Sequence, residues 1–447
     1  MTPPEPDSGL LRALGWGAYL ACSWTWCIGM FLPILLLRDF GPWGFVVFAV
    51  PNVLGAAAMG WVLRQRGASE AMVATHGAAM VWFTSATLGF HVFWGAWLAG
   101  SAGQWIIAPP WAVPAGAGLG IAAGAAASAR AGGRPVRWAT LAGPMALCLS
   151  LVVLAGLLAT DSVRVASGPG TQAPDELLWL APVTIFGFAL CPYLDLTFHR
   201  ARQALTPPAA RVAFSAGFGI LFAAMIALTV MYSGWLAGPV SGGGAVAPLP
   251  IALTLLTAHL TGQATFTVLA HASARRALSP GRAGRWPLAA WTIVIGPAAA
   301  VIALQAPEAQ LWGLSLGEAA YRSFMGLYGL VFPTYVWLLV IPTPDGHCGP
   351  RGTPGRRKLI VWVISLALAL PFFVAGFLAR ETLLLAPGLA FPLFARLAVR
   401  KLAGGTASGP RPESAIARGA ESQNRGPEPA FRVGLWPRRC RGELSGG

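Results

Sequence analysis

Charge is what this sequence has least of. Only 11% of its 447 residues are Asp, Glu, Lys or Arg, while 55% are hydrophobic. A soluble globular chain carries about 25% charged residues, so this one cannot cover itself with a polar surface. A water-soluble fold is excluded, and a mean hydropathy of +0.62 places the chain in lipid. Cysteine is scarce as well. Of Cys22, Cys27, Cys148, Cys191, Cys348 and Cys440, four lie in hydrophobic segments and none forms a C-x-x-C pair, which excludes a disulfide framework or a zinc site. Asp345, His347 and Cys348 share one loop, but a closed zinc site needs four ligands, and the loop reads as a solvated turn. Catalytic signatures are missing: no G-x-S-x-G, H-E-x-x-H or Walker loop occurs, and no soluble domain is large enough to house chemistry. The expectation is no enzyme, no cofactor and no resident metal. Met1 to Gly9 is acidic and Pro-rich, without the basic n-region of a cleavable signal peptide.

What the chain does have is tryptophan (19), glycine (55) and proline (37). Trp gathers at membrane interfaces, and Gly and Pro are commoner in transmembrane helices than in soluble ones. About twelve apolar segments are long enough to span a bilayer, at roughly 12–37, 43–63, 72–99, 106–128, 138–160, 177–198, 210–237, 248–273, 286–305, 319–341, 359–379 and 382–399. The fourth is interrupted by Pro109, Pro110 and Pro114, and the twelfth by Pro387 and Pro392.

The net charge of +15 lies in short loops and the C-terminal tail. No basic stripe interleaves with stacking aromatics, so nucleic-acid binding is not expected. Basic residues follow segments two (Arg64, Arg66), four (Arg130, Arg134, Arg137), six (Arg200, Arg202, Arg211), eight (Arg275, Arg276, Arg282, Arg285) and ten (Arg351, Arg356, Arg357, Lys358). The opposite loops carry only Arg38, Arg164 and Arg380, each with an acidic neighbour. By the positive-inside rule both termini face the cytoplasm. Residues 402–447 are rich in Gly, Ser, Pro, Arg and Glu without hydrophobic periodicity, which reads as a disordered, basic cytoplasmic tail.

Two segments look broken. The stretch Thr184 to Arg200, in and just past segment six, meets Pro192 three residues before Asp195. A proline removes a backbone donor, and a carboxylate in or near lipid is seldom kept for packing alone. Segment one repeats the pattern weakly, Gly29 to Pro33 against Gly187 to Pro192. Segments three and eight share a second short match, Ser85 to His91 against Thr257 to Gln263. Matches at an offset of five, with Gly/Pro interruptions, are what an inverted repeat shows. Repeat one would cover about 12–160, repeat two about 177–341, with extra helices at 359–399. Polar stripes accompany the breaks: Thr84, Thr87 and His91 on segment three, and Thr254, Thr257, Thr261 and Thr265 on segment eight, with His259 and Gln263 adjoining. Such faces turn into the bundle as helix–helix glue or as ligands. His91 and His259 read as satisfied interior histidines, and Asn52 as an interhelical hydrogen-bonding residue. Asp195 is the leading functional candidate, set against an interfacial salt bridge to His199 or Arg200. Arg38 and Asp39 read as a loop pair rather than an outer gate.

On Gly29–Pro33, Phe186–Asp195 and the segment-eight threonines, the chain resembles the amino acid–polyamine–organocation superfamily, the leucine-transporter-like fold in its twelve-helix form. That resemblance implies an all-α integral membrane protein, a 5+5 inverted repeat plus two helices, and broken helices one and six that hold the substrate. Carried over, Cys27, Ile28, Gly29, Met30 and Phe31, with Phe188, Cys191, Pro192 and Tyr193, would line the substrate site beside Asp195. Thr257 and Thr261 would be ion-ligand candidates, with Na⁺ or H⁺ as candidate coupling ions. The implied function is a secondary transporter of a small organic solute in the inner membrane, working by alternating access with Na⁺ or H⁺ coupling as an option. The few charges in the bundle point to a neutral or zwitterionic solute. Its partners are the bilayer and that solute; nothing in the sequence speaks to oligomeric state. Three alternatives stay open. The major facilitator fold has twelve helices, but the Gly60–Gly67 loop lacks the acid of its motif and no long central loop divides the chain. A lipid-linked glycosyltransferase would place an acid where Asp39 sits, though such enzymes usually carry a sizeable outer domain. A non-transporting sensory relative is the third.

Overall fold

The computed structural model describes residues 9–102, 135–166, 168, 170–240, 250–278, 294–296, 298–302, 309–341 and 355–404. Segment four, most of segment nine, the Asp345–Cys348 loop and the tail beyond Gly404, all part of the expected twelve-span layout, lie outside these residues. The helices are α1 (Leu10–Trp24), α2 (Cys27–Phe40), α3 (Pro42–Val62), α4 (Ala68–Ala102), α5 (Pro135–Ala159), α6 (Leu177–Leu190), α7 (Leu196–Ala204), α8 (Pro207–Ala216) and α9 (Ala223–Val240). They continue with α10 (Pro250–Leu278), α11 (Leu316–Gly326), α12 (Phe332–Tyr335), α13 (Arg356–Phe377) and α14 (Leu385–Gly404). A two-residue antiparallel pair, Gln310–Leu311 with Leu314–Ser315, precedes α11. Among the described residues seven helical runs are long and apolar enough to cross a membrane, and the bent pair α1–α2 adds an eighth. In hydrocarbon only a helix or a closed barrel satisfies its own backbone, which is why apolar runs of this length fold as they do.

The first span is broken, but not where the sequence placed it. α1 and α2 meet at 57°, and the residues between them are Thr25 and Trp26, neither a glycine nor a proline. Gly29 and Pro33 both lie inside α2. Pro33 has no N–H for the Gly29 carbonyl four residues back, and the Thr229 hydroxyl of α9 takes that carbonyl instead, at 3.0 Å. The helix therefore absorbs its proline. Span six breaks as expected: α6 gives way to a 3₁₀ turn at Cys191–Leu194, and Asp195 is extended at φ −80° and ψ 113°. The span then resumes as α7 and stays buried to Arg202, further than the expected end at 198. Pro387 and Pro392 do not interrupt the last span, which is one helix.

The repeat shows in where backbones touch. A Cβ added at Gly17 of span one would meet Ala213 O at 3.0 Å and the Gly217 Cα of span seven at 3.4 Å. The counterpart contact five spans on joins span six to span two, where a Cβ added at Gly55 would meet Phe188 O at 2.3 Å. Likewise Gly143 of span five abuts Tyr19 N of span one at 2.6 Å, and Gly187 of span six abuts Tyr328 O of span ten at 2.8 Å. One-with-seven maps onto six-with-two, and five-with-one onto ten-with-six. Small residues permit such approaches, which is how helices associate without a hydrophobic driving force.

Gly55→Val should drive α3 from α6 and lower the melting temperature of detergent-solubilised protein, an overpacking penalty of about 1–3 kcal/mol. Gly219→Ala, where nothing lies within 4 Å of the added atom, should leave it unchanged.

Candidate functional site

The two breaks face each other. Ser23 and Trp24 end α1, and Thr197 and Phe198 begin α7. The Thr197 hydroxyl lies 2.7 Å from Asp195 Oδ1 and 3.1 Å from Ser23 Oγ, and the Trp24 and Phe198 rings are 4.9 Å apart at their centroids. Asp195 is the N-cap of α7: its Oδ1 accepts the Thr197 N–H at 2.7 Å, a donor that the interrupted helix would otherwise leave open.

Side chains from unbroken helices satisfy the first break. The Cys27 N–H donates to His91 Nε2 at 3.3 Å, and His91 Nδ1 lies 2.7 Å from Thr87 O. A donor at Nε2 and a carbonyl at Nδ1 fix the neutral tautomer protonated at Nδ1. Tyr321 donates to Cys27 O at 3.0 Å, Tyr232 to Met30 O at 2.9 Å and Thr267 to Cys22 O at 3.2 Å. With Gly29 O held by Thr229, these four carbonyls around the break all have partners.

Aromatic rings fill the space between the breaks. The Trp26 ring lies 5.3 Å from Phe83, 5.3 Å from Tyr328 and 5.4 Å from His271, and its indole N–H donates to Ser23 O. The Tyr328 hydroxyl is 3.0 Å from Thr87 Oγ1, and Cys191 Sγ donates to Tyr328 O at 3.3 Å. The centre is closed. Among the described residues, the buried polar atoms near this centre without a hydrogen-bond partner include Asp195 Oδ2, both nitrogens of His271 and the Tyr19 hydroxyl. Asp195 Oδ2 and His271 Nε2 stand 3.8 Å apart, each side chain fully buried.

On one side of this centre an apolar vestibule descends between α2, α6, α13 and the tenth span, lined by Leu36, Val183, Phe188, Met325 and Phe377, with Gly187 and Tyr328 also against it. Charge lies against it, at Asp39 and Arg322. Arg38 of α2 grips Glu318 of α11 with two bonds, at 2.8 and 2.7 Å, and donates to Asp39 at 2.8 Å. Arg322 bridges Asp39 and Glu318 from α11. At the other end Arg202 caps the carbonyls at the end of α3, Leu63 O at 2.7 Å and Arg64 O at 3.3 Å. There Arg200 donates to Ser273 at 2.8 Å and His199 Nδ1 lies 2.8 Å from Ser69 Oγ.

The structure brings together most of the residues expected at a site and displaces others. Cys27, Ile28, Gly29, Met30 and Phe31 form the buried start of α2. Cys191, Pro192 and Asp195 form the buried turn opposite, with Tyr193 half-buried beside them and Phe188 at the end of α6. Asp195 makes no salt bridge to His199 or Arg200; the interfacial reading fails because α7 continues inward and surrounds it. Thr257 and Thr261 are exposed on the outer face of α10, and Thr261 bonds back to Thr257 O at 2.6 Å. The face of α10 turned to the break carries Gln263, Thr267 and His271 instead, all fully buried. Arg38 and Asp39 are not a loop pair, since Glu318 and Arg322 complete them. Trp26, Tyr328, Tyr321 and His271 went unread; His271 stands eight residues after Gln263, on the helical face that the threonine stripe drew attention from. Asn52 accepts from Trp24 Nε1 at 2.6 Å, the interhelical role expected of it.

No protein-family model matches the chain, and no curated protein matches it. Among solved structures it is similar to a manganese transporter of Eremococcus coleocola, at 16% identity over 89% of this chain and 94% of that one, with a TM-score of 0.49. It is also similar to a Na⁺-coupled sialic acid symporter in a substrate-bound outward-open state, at 14% identity over 85% and 90% of the chains, TM-score 0.48. A nucleobase-cation-symport-1 family transporter in a closed conformation aligns at 14% identity over 90% and 94%, TM-score 0.46. What the chain shows by itself is two broken spans that meet and a reciprocal packing between its halves.

His91→Phe should leave the Cys27 N–H unpaired in a dry interior, at a cost of about 1–3 kcal/mol, and lower the melting temperature in detergent. His91→Gln, whose carbonyl oxygen can accept the same bond, should recover most of the loss.

Proposed function

We propose that this chain is a secondary active transporter that moves a small neutral or zwitterionic organic solute across the inner membrane by alternating access. The observation that carries the reading is the meeting of two broken spans, at Trp24–Cys27 and Cys191–Asp195, beneath a vestibule sealed by side chains. Irregular backbone deep in a membrane protein is tolerated where it lines a cavity or is buried in protein, and paired broken helices are the usual construction of a transport site. The solute is held between the start of α2 (Cys27 to Phe31) and the Phe188, Cys191–Tyr193 and Asp195 turn, entering as Trp26 and Tyr328 part. The cytoplasmic termini follow from the basic even loops. The coupling ion is Na⁺ or H⁺. Asp39, held between two guanidinium groups, offers no unpaired acid of the kind a lipid-linked transferase would use.

In this cycle Arg38, Asp39, Glu318 and Arg322 are the outer latch. Purified protein in proteoliposomes should accumulate some labelled neutral or zwitterionic solute under an inward proton or sodium gradient; no accumulation of any under either gradient would overturn the proposal. Arg38→Gln should weaken the latch. A cysteine placed at Leu36 in a Cys148→Ser background should then react severalfold faster with an impermeant thiol reagent than with the latch intact.

A further inference from the structure

We infer that Asp195 and His271 together bind one proton, and that this proton is the coupling ion of the transport cycle. The coupling rests on the transport reading above; the binding of the proton by the pair does not. Both side chains are fully buried, and at 3.8 Å their facing atoms are beyond hydrogen-bond reach. A formed hydrogen bond, whether Asp⁻–His⁺ or Asp O–H to neutral His, would close to about 2.7–2.9 Å, so the pair stands here with its bond open. A bare carboxylate at this depth, satisfied through Oδ1 alone, carries a desolvation penalty that binding a proton removes.

The other groups facing the pair supply no charge to do this instead. Around Asp195 stand Tyr19 of α1, Cys191 of the turn and Tyr328 of the tenth span, with Thr197 and Ser23 as its hydroxyl neighbours. Around His271 stand the Trp26 ring, the Ser23 carbonyl and, further off, His91. Arg200 on α7 is engaged elsewhere, with Ser273 and over the Tyr19 ring at 5.9 Å.

A hard cation fits worse than a proton because it needs several oxygen ligands at once. The nearby carbonyls each already accept a hydrogen bond, Cys22 O from Thr267, Ser23 O from the Trp26 indole, Cys27 O from Tyr321 and Gly29 O from Thr229, so a cation would have only their second lone pairs. The unpartnered carboxylate oxygen stands beside an imidazole, a ligand suited to softer metals. Among the described residues no group of three or more His, Cys, Asp and Glu is placed to hold a metal.

The balance of the step is simple. In the loaded pair Asp195 Oδ2 carries the proton and donates it in a hydrogen bond to neutral His271 Nε2. Release sends the proton to water, leaves a carboxylate and removes the bond. Asp195 belongs to a broken span and His271 to the unbroken α10, with Trp26 packed on the His271 ring. Loss of the proton therefore loosens the junction at which the broken spans meet their scaffold.

The test is a pH-difference infrared spectrum of the full-length protein in lipid nanodiscs, which needs no solute. The expected result is a protonated-carboxyl C=O band that titrates, disappears in Asp195→Asn, and shifts its midpoint by about one pH unit, tenfold in proton affinity, in His271→Gln. Should Asp195→Asn fail to fold, Asp195→Glu and His271→Gln must each displace the band. A band indifferent to these substitutions overturns the inference. So does a melting temperature raised by sodium chloride over choline chloride in wild type but not in Asp195→Asn, since that marks a sodium site. Failure of solute uptake in proteoliposomes would leave this spectrum unchanged and strike only the transport reading.

Discussion

An interrupted backbone in hydrocarbon is the constraint on which this structure depends. Each exposed N–H or C=O in lipid costs several kcal/mol, so a span can break only where neighbours supply the missing partners. Here they come from all sides of span one: His91 from α4, Tyr321 from α11, Thr229 and Tyr232 from α9, Thr267 from α10. The second break is closed locally, by Asp195 capping its own helix. The polar residues that look wasteful in so apolar a chain are thus largely the supports of two deliberate interruptions.

With the backbone satisfied, the remaining features arrange themselves as layers. Arg38, Asp39, Glu318 and Arg322 tie span one to span ten at one end, and Arg202 ties span six to the end of span two at the other. Trp26, Phe83, Tyr328 and Phe332 lie between them. The charge network is self-neutralising, two arginines with two acids, and bidentate contacts give it geometry as well as attraction. Such a layer can separate and re-form without leaving a lone ion behind, provided water reaches it from the vestibule. The aromatic layer has no such requirement and excludes water by packing alone.

Much of the fold was readable because lipid simplifies the code. Run length and loop charge marked the spans, and Pro192 beside Asp195 marked the second break. The first break was misplaced for a physical reason. Pro33 reads as a breaker, yet the carbonyl it strands is rescued by Thr229, 200 residues away; Thr25 and Trp26, where the chain does turn, carry no local signal at all. The threonine stripe on α10 misled similarly, since hydroxyls that bond back to their own helix can face lipid at little cost. Glu318 was unread because an acid at the start of a helix looks like a dipole or capping residue. It does follow a Ser315 cap, but its side chain turns to Arg38 and Arg322. Partners distant in sequence decided each of these cases, and one-dimensional patterning does not record them.

Span seven straddles the bend in span one. Its first part, α8 and the π turn at Gly217–Phe222, lies against α1 with backbone on backbone at Gly17 and Gly217. Its second part, α9, holds α2 through Thr229 and Tyr232. No layer of side chains separates Gly17 from Gly217 that could act as a lubricant. Any change in the 57° elbow must therefore be matched by flexing in its neighbour, and the widened coil at Gly217–Phe222, a form of helix often found at functional positions, is where the neighbour can give. The protein has one joint in span one and, pressed against it, a second that bends in sympathy.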